Sequence, residues 1–396
     1  MNDSSTDAPA SVLQPATEEG VGGAASGKMG TGVLPYQTLG VMLRAKEISA
    51  AVDIDPAQVQ PASIDLRLGR YAYQVRASFL PGPTAEVMDK VRQMDGEPPL
   101  DLSNGAVLQK GSVYVVELLE SVKLSNAVMG LANPKSSTGR LDVLTRLITD
   151  RGSAFDQIDR GYHGKLYVEV APQTFSVVVR QGSRLNQVRF QRGSPIVASG
   201  DLTNLYESGS LVRTQGTRLP LHDNLVPVTI DLKGKGPGSV IGYRAKKHTR
   251  KIDIDMVASY DAHDFWEKIT YQNDATLILD PDEFYILATI EEVGVPPYLA
   301  AEMVPYYTRS GEYRVHYAGF FDPGFGWNEG VSGSKAVLEV RSHEVPFMLE
   351  HGQIVGWLRY ERMAQKPTKI YGAAMNSNYQ NQGLSLAKQF RPFPVQ

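Results

Sequence analysis

The run Lys135-Ser136-Ser137-Thr138-Gly139-Arg140 is followed by the turn Ile158-Asp159-Arg160-Gly161-Tyr162 and the stretch Lys165-Leu166-Tyr167-Val168-Glu169-Val170. In the last stretch polar and apolar residues alternate, which is typical of a β-strand. Similar short runs, separated by Gly, Pro, Asp and Asn, continue from residue 60 onward, for example at 63–68, 113–116 and 175–179. This pattern predicts an all-β fold, a barrel or a sandwich, with few short helices.

The second half of the chain repeats these features in the same order. The repeated runs are Ile64-Asp65-Leu66 with Ile230-Asp231-Leu232, the turn at 158–162 with Phe321-Asp322-Pro323-Gly324-Phe325, and Glu169-Val170 with Glu339-Val340. Most paired features lie about 170 residues apart. We therefore predict a disordered tail over residues 1–31 and two tandem β-domains, over residues 32–212 and 213–396. One short amphipathic helix is predicted at residues 39–48.

Length and composition narrow the classes of function. A chain of 396 residues suits two domains, and its net charge of −3 gives no global basic field that would favour a nucleic-acid partner. No apolar run approaches the roughly 18 residues of a membrane span. The absence of cysteine excludes disulfides and Cys-ligated metals, and it favours a cytoplasmic location.

The run at residues 135–140 combines two cations, three hydroxyls and a glycine, which suits a polyphosphate. It lacks the spacing of a Walker loop. The alternative is a solvated, serine-rich turn. The corresponding run at residues 309–314 carries an acidic residue, Glu312, and is expected to bind phosphate less well.

Carboxylates supply the candidate chemistry. Glu169 stands among apolar neighbours, where a carboxyl group tends to have a raised pKa and can transfer protons near neutral pH. A solvent-facing strand glutamate is the alternative. Asp159 and Asp322 occupy matching turns, where they either contact a sugar hydroxyl or water, or serve only as turn residues.

The remaining polar segments suggest no metal site. The seven histidines form no metal-binding pattern, so a base deaminase of this sequence would have to work without zinc. The basic run at residues 244–251 is interpreted as a solvated loop. The amide-rich stretch at residues 376–383 is interpreted either as a disordered end or as a tail that folds over a ligand.

Four motifs in this order resemble the dCTP deaminase family. They are Gln60-Pro61-Ala62-Ser63-Ile64-Asp65-Leu66-Arg67-Leu68-Gly69, the run Lys135 to Leu141, the stretch Ile158-Asp159-Arg160-Gly161-Tyr162 to Glu169, and Asn378-Tyr379-Gln380-Asn381-Gln382-Gly383. The resemblance covers roughly residues 34–396 and is closest to a tandem, double-length form. It implies the distorted β-barrel shared with dUTPases, hydrolysis of dCTP to dUTP and ammonia, and a trimer-type homo-oligomer with sites between subunits.

The resemblance also implies roles for particular residues. The nucleotide would be held by Lys135, Ser136, Ser137, Thr138, Gly139, Arg140, Asp159, Tyr167, Val168, Tyr371, Asn378 and Gln382. Glu169 would be the general base and acid. Second-copy candidates are Arg314, Asp322 and Glu339. Mg²⁺ would be carried by the triphosphate, with no metal bound by the protein itself.

Departures from the family pattern keep other interpretations open. Lys135 and Asp142 replace the usual Arg and Gly, and the first copy has about six extra residues between Arg140 and Asp159. We expect one good site per chain, built on first-domain motifs and covered by the second domain's tail. The alternatives are a dUTP diphosphatase that uses Asp159 or Asp322, a bifunctional enzyme that takes dCTP to dUMP, and a non-catalytic nucleotide-binding module.

Overall fold

The structure is a computed structural model that describes most of the chain. The described residues are 30–94, 97–214, 216, 218–304, 313–316, 319–327, 333–342, 344–372 and 383–393, with only the backbone described at 313–316. The predicted tail over residues 1–31 therefore lies outside the described residues except for its last two positions.

The first half of the chain forms most of its secondary structure as strands. These are β1 (Gly32–Val33), β2 (Ile48–Ala50), β3 (Ile64–Val75), β4 (Leu100–Asp101), β5 (Ala106–Leu108), β6 (Val113–Lys123), β7 (Val128–Pro134), β8 (Val143–Thr149), β9 (Gln157–Ile158), β10 (His163–Pro172), β11 (Val177–Val179), β12 (Arg184–Arg192) and β13 (Val212–Arg213). Four α-helices accompany them in the described part of the chain: α1 (Tyr36–Arg44), α2 (Val87–Gln93), α3 (Ser136–Gly139) and α4 (Ser199–Glu207).

The second half consists of strands and one short 3₁₀ turn, Ala262–Asp264, as far as it is described; another such turn, Pro56–Gln58, lies in the first half. The strands are β14 (Val226–Thr229), β15 (Val240–Ala245), β16 (Ile252–Asp253), β17 (Tyr260–Asp261), β18 (Trp266–Thr270), β19 (Thr276–Leu279), β20 (Tyr285–Val293), β21 (Leu299–Val304), β22 (Tyr313–His316), β23 (Phe320–Phe321), β24 (Ser334–Ser342), β25 (Phe347–Glu350), β26 (Ile354–Arg362) and β27 (Phe390–Arg391).

The two halves share one strand order, as the sequence repeat predicts. The first half runs β8-β10-β6-β3-β12-β7-β9, and the second runs β22-β24-β20-β15 and β14-β26-β21-β23. The second order matches the first if β14 and β15 together take the place of the long strand β3. In each half the strands curve into a barrel that encloses one hydrophobic core. The prediction of an all-β fold in two tandem barrels is confirmed.

Alternating apolar residues explain the central strands. Leu166, Val168 and Val170 of β10 point into the core of the first barrel. Tyr167, on the opposite face, packs under α2 against Val115. Because both faces are covered, β10 is buried over most of its length.

A helix is found where one was predicted at residues 39–48, but it begins earlier and ends at Arg44, and Ile48 belongs to strand β2. Helix α1 follows Pro35, buries Leu39 and Met42, and ends before Lys46, which has a positive φ of 57°. A proline before the first turn and a left-handed residue after the last are usual helix boundaries. In the described residues, no helix is long and apolar enough to cross a membrane.

The two cores exchange segments. Leu202 and Tyr206 of α4 pack in the second core, and β13 pairs with β20, whereas the sequence expectation puts α4 in the first domain and the boundary within β13. In the other direction, Trp266 and Phe390 pack in the first core, and β16 adds to β11 as a parallel strand. The halves are therefore interlocked, and a cleft lies along their junction.

Candidate functional site

The cleft between the halves has a volume of about 550 Å³. The first copy contributes the segment 134–141 and parts of β3 and β12. The second copy contributes residues 319–322 and 337–339 together with Phe325 and Tyr371. The cleft thus joins the candidate phosphate segment of one copy to the candidate carboxylates of the other.

The segment 135–140 turns directly out of β7 into the short helix α3. Ser137 and Thr138 are buried, while Ser136 is exposed. The ammonium group of Lys135 contacts the buried carboxylate of Asp65 on β3. This contact fixes a cation and two hydroxyls at one wall of the cleft, as binding of an anion requires.

Arg140 connects this segment to the second copy. Its side chain is buried, and its Nη1 donates to the carbonyl oxygen of Ser385 at 3.1 Å. Its Nε lies 3.9 Å from Oε1 of Glu339. A buried guanidinium at this place can act on both an anionic ligand and the neighbouring carboxyl group.

Glu339 lies on β24, between β20 and β22, and only 6% of the residue is exposed. Burial raises the pKa of its carboxyl group to about 8, although the nearby charge of Arg140 acts in the opposite direction. A carboxyl group that titrates close to neutral pH can both accept and return a proton. Glu339 thus has the raised pKa that the sequence analysis expected of Glu169.

Asp322 lies in the same cleft, after β23, and is also buried. Burial raises the pKa of its carboxyl group to about 6, against the effect of Arg189. Nη2 of Arg189, on β12 of the first copy, lies 3.4 Å from Oδ1 of Asp322, and Nη1 lies 3.4 Å from Oε2 of Glu361. Arg189 therefore holds a second-copy turn in place from the first copy.

The sequence analysis did not identify this role of Arg189. A signal was present, because a charged residue stands between two apolar ones in Val188-Arg189-Phe190.

Asp142 explains one departure from the family pattern. Its backbone has a positive φ of 56°, a conformation that glycine adopts readily and that aspartate tolerates better than most residues. Its Oδ2 accepts hydrogen bonds from Nε and Nη2 of Arg341 at 3.0 and 2.6 Å. Arg341 is two residues beyond Glu339 on β24, so this buried ion pair helps to position that strand against the first copy.

Aromatic rings form another wall of the cleft. The rings of Phe321 and Phe325 are 5.1 Å apart, and those of Phe325 and Tyr371 are 5.6 Å apart. The backbone N–H of Tyr371 donates to the carbonyl oxygen of Pro323 at 2.7 Å. This wall offers apolar surface to a sugar or a pyrimidine ring.

Glu169 does not line this cleft. It is buried in the first barrel, where its Oε1 accepts hydrogen bonds from Nε and Nη2 of Arg146 at 2.9 and 2.5 Å. Arg146 also donates to Ser78 and lies 3.9 Å from the ring centre of Phe155. The Glu169 carboxylate is thus paired with a cation of its own domain and, unlike the 135–140 segment, does not line the cleft.

Other first-copy candidates also lie outside the cleft. Asp159 is exposed and accepts a hydrogen bond from Gln157, while Tyr167 and Val168 are buried in two separate clusters. Asp156 stands where the second copy has Gly319: each carbonyl oxygen accepts from the equivalent strand, β7 or β21. The side chain of Asp156 accepts a hydrogen bond from the backbone N–H of Leu147 at 2.8 Å, whereas Gly319 has no side chain at this place.

Some candidates lie outside the described residues. Asn378 and Gln382 belong to this group, as does most of the run at 309–314, and only the backbone of Arg314 is described, on β22. Among the described residues, no group of three or more His, Cys, Asp and Glu side chains could hold a metal ion.

Comparison with known proteins agrees with this geometry. Residues 30–194 match the N-terminal domain of 2'-deoxycytidine 5'-triphosphate deaminase (DCD), and residues 198–390 match its C-terminal domain. The "dCTP deaminase, dUMP-forming" of Acidothermus cellulolyticus is 30% identical over 162 residues, which are 39% of this chain and 78% of that protein. The protein of the same name from Corynebacterium efficiens is 28% identical over 193 residues, 46% of this chain and 92% of that one.

A solved structure spans both halves. The crystal structure of 2'-deoxycytidine 5'-triphosphate deaminase from Agrobacterium tumefaciens is 52% identical to this chain, with a TM-score of 0.81. The match covers 85% of this chain and 97% of that one. The fold and the cleft define a double β-barrel protein with a cleft between its two copies. The chain belongs to the 2'-deoxycytidine 5'-triphosphate deaminase family, which confirms the resemblance seen in its motifs.

Proposed function

We propose that this chain hydrolyses dCTP to dUTP and ammonia in the cleft between its two halves. The proposal rests on one observation: the buried carboxyl group of Glu339, with a pKa near 8, shares the cleft with the 135–140 segment. Family membership and the dCTP deaminases among its relatives support the same substrate. The preferred general base and acid is Glu339, rather than Glu169.

The proposed reaction needs only one proton-transferring group. Water attacks C4 of the cytosine ring while the carboxylate form of Glu339 accepts the proton of that water. Glu339 returns this proton to ring nitrogen N3. It then transfers the second water proton to the amino group, which leaves as ammonia, so that a carbonyl group remains at C4. One carboxyl group is sufficient for these proton transfers if the cleft excludes bulk water and holds the reacting groups in position.

The rest of the nucleotide would contact both copies. We propose that Lys135, Ser136, Ser137, Thr138, Gly139 and Arg140 bind the triphosphate. Asp322 would bind the deoxyribose and take the role that the resemblance implied for Asp159, while Phe325 and Tyr371 would pack against the sugar and base. Mg²⁺ would be carried by the triphosphate.

We infer that each chain carries one working site. In the first copy, Arg146 donates hydrogen bonds to the carboxylate of Glu169, and α2 covers the strand that carries it. A nucleotide would have to displace this ion pair and the packed helix to reach Glu169.

Further properties follow from the resemblance. Asn378 and Gln382 would close over the nucleotide, and chains would assemble in a trimer-type arrangement in the cytoplasm. Because α4 packs with the second core and the two family matches meet between residues 194 and 198, we propose that the domain boundary lies there rather than at residues 212–213.

A product assay tests the proposed reaction. The purified chain is treated with a chelator, supplied with Mg²⁺ and incubated with dCTP, and ammonia and nucleotides are measured. Equal amounts of ammonia and dUTP are expected. Ammonia with dUMP and pyrophosphate would identify the bifunctional reaction for which the curated relatives are named. Hydrolysis of dUTP without any release of ammonia would overturn the deaminase proposal.

A further inference from the structure

A lysine close to the carboxyl end of the described chain reaches the same cleft. Lys388 lines it, although it lies beyond the tail motif that resembles the family. The backbone around it is well anchored: its carbonyl oxygen accepts from the N–H of Ala258 at 2.9 Å, and Gln389 Nε2 donates to Ile254 at 2.7 Å. Phe390 then pairs with Tyr260. The position of Lys388 is therefore set by the fold.

Three other cations line the cleft, and each already has a partner. Lys135 contacts Asp65, and Arg140 lies beside Glu339. Nη2 of Arg184 lies 2.7 Å from Oδ2 of Asp55. In the described part of the chain, the ammonium group of Lys388 has no hydrogen bond or ion pair, and it is half-buried. Burial therefore removes some of the water around this ammonium group, and no protein anion takes its place among the described residues.

The electrostatic surroundings of Lys388 favour an incoming anion. Loss of water on burial lowers the pKa of its ammonium group, and the charges of Lys135 and Arg184 lower it further, while Asp65 and Asp255 raise it. Glu339 is influenced mainly by a different pair of charges, those of Arg140 and Asp142. Lys388 thus belongs to the part of the cleft that carries Lys135, not to the part that carries the catalytic carboxyl group.

We propose that Lys388 binds the outer phosphates of the triphosphate and makes the enzyme discriminate between nucleoside triphosphates and monophosphates. The inference extends the proposed function, because it takes the anion to be the triphosphate of dCTP. The lysine would complete a cluster with Lys135 and Arg184, in which a phosphate replaces the water lost on burial. A charge-assisted hydrogen bond to phosphate would then offset the repulsion among the three cations.

The test measures binding of inorganic tripolyphosphate by calorimetry, together with dCTP kinetics. For Lys388→Ala, the Kd of tripolyphosphate and the KM of dCTP are expected to rise about tenfold, with kcat nearly unchanged. Lys388→Arg should restore most of the affinity. Lys366→Ala, which removes an exposed lysine outside the cleft, is the matched control and should bind tripolyphosphate as the wild type does.

The outcomes separate this inference from the proposed reaction. Unchanged tripolyphosphate binding in Lys388→Ala and Lys388→Gln would overturn it, as would a wild-type protein that does not bind tripolyphosphate. A fall in kcat without a change in KM would assign Lys388 a structural role and also contradict it. If the wild type bound tripolyphosphate through Lys388 but released no ammonia from dCTP, the phosphate subsite would stand and the deaminase proposal would fail.

Discussion

Arg140 of the first copy places its Nε 3.9 Å from Oε1 of Glu339 in the second copy. Both side chains are buried, and the guanidinium limits how far burial raises the pKa of the carboxyl group. The segment proposed to bind phosphate and the carboxyl group proposed to transfer protons therefore come from different copies of the repeat. This arrangement determines which substitutions should affect the chemistry.

Replacement of the two repeat-related glutamates should have opposite effects. Glu339→Gln is expected to lower kcat for ammonia release by at least about a hundredfold, because general acid–base catalysis is lost, while dCTP still binds. Glu169→Gln should retain turnover, since Glu169 lies outside the cleft. Ammonia release and dCTP affinity are measured for both variants. An inactive Glu169→Gln beside an active Glu339→Gln would place the chemistry in the first copy.

Stability should depend on pH through Glu339. Its pKa is raised from the ordinary value of 4.5 to about 8, so the folded state binds a proton that the unfolded state releases between these values. Folding is therefore expected to become less stable as the pH rises from about 4.5 to about 8, by at most about 1.4 kcal/mol per pH unit. Urea unfolding of the wild type and of Glu339→Gln across this range measures the difference. A parallel pH dependence of both proteins would contradict the assignment.

Activity should show the reverse dependence on pH. The attacking water needs the carboxylate form of Glu339, so kcat/KM for dCTP is expected to rise as the pH approaches about 8. Initial rates at low dCTP concentration, between pH 6 and 9, measure this profile. A flat profile over that range would mean that no group with such a pKa limits the free enzyme.

Loss of Arg189 should destabilise the junction between the copies. Arg189→Met leaves the buried carboxyl groups of Asp322 and Glu361 without their shared cation, and such a loss typically costs about 3–5 kcal/mol. Arg244→Met removes an exposed ion pair with Glu267 and should change the unfolding free energy by no more than about 1 kcal/mol. Denaturant unfolding compares the two variants, and equal effects would argue against a special role for Arg189.

Two substitutions at Asp142 separate backbone conformation from the ion pair with Arg341. Both variants lose the contact with Arg341, but Asp142→Gly keeps the positive φ without strain, whereas Asp142→Ala does not. Asp142→Ala is therefore expected to be less stable than Asp142→Gly by about 1–2 kcal/mol. Unfolding free energies decide this, and equal values would show that the backbone at residue 142 relaxes.

The repeat, the β-barrels and the phosphate segment could all be predicted from the sequence, because each leaves a local pattern. Alternation in β10 and the paired turns at residues 158–162 and 321–325 are examples. The partner of the phosphate segment could not be predicted in this way. Glu169 and Glu339 both stand between apolar residues on a strand, and only the packing of one copy on the other brings one of them to Arg140.

The partners of buried charged side chains could not be predicted from the sequence either. Nothing in the residues adjacent to Arg146 shows that its guanidinium reaches Glu169 across neighbouring strands, and nothing beside Arg189 shows that it reaches Asp322. In the sequence, Asp142 is a departure from the family pattern that keeps other interpretations of the function open. Its contact with Arg341 shows instead that the changed residue gained a new partner in the other copy.

The packing of second-repeat segments in the first core makes the first barrel depend on the second repeat. Trp266 and Phe390 of the second repeat complete the first barrel, so a cut between residues 194 and 198 would leave the first fragment without part of its interior, while α4 would stay with the second. The first fragment would then have its full core only when the second is present. The two copies are therefore retained as one unit, in which Glu169 can form an internal ion pair with Arg146 while Glu339 faces the cleft.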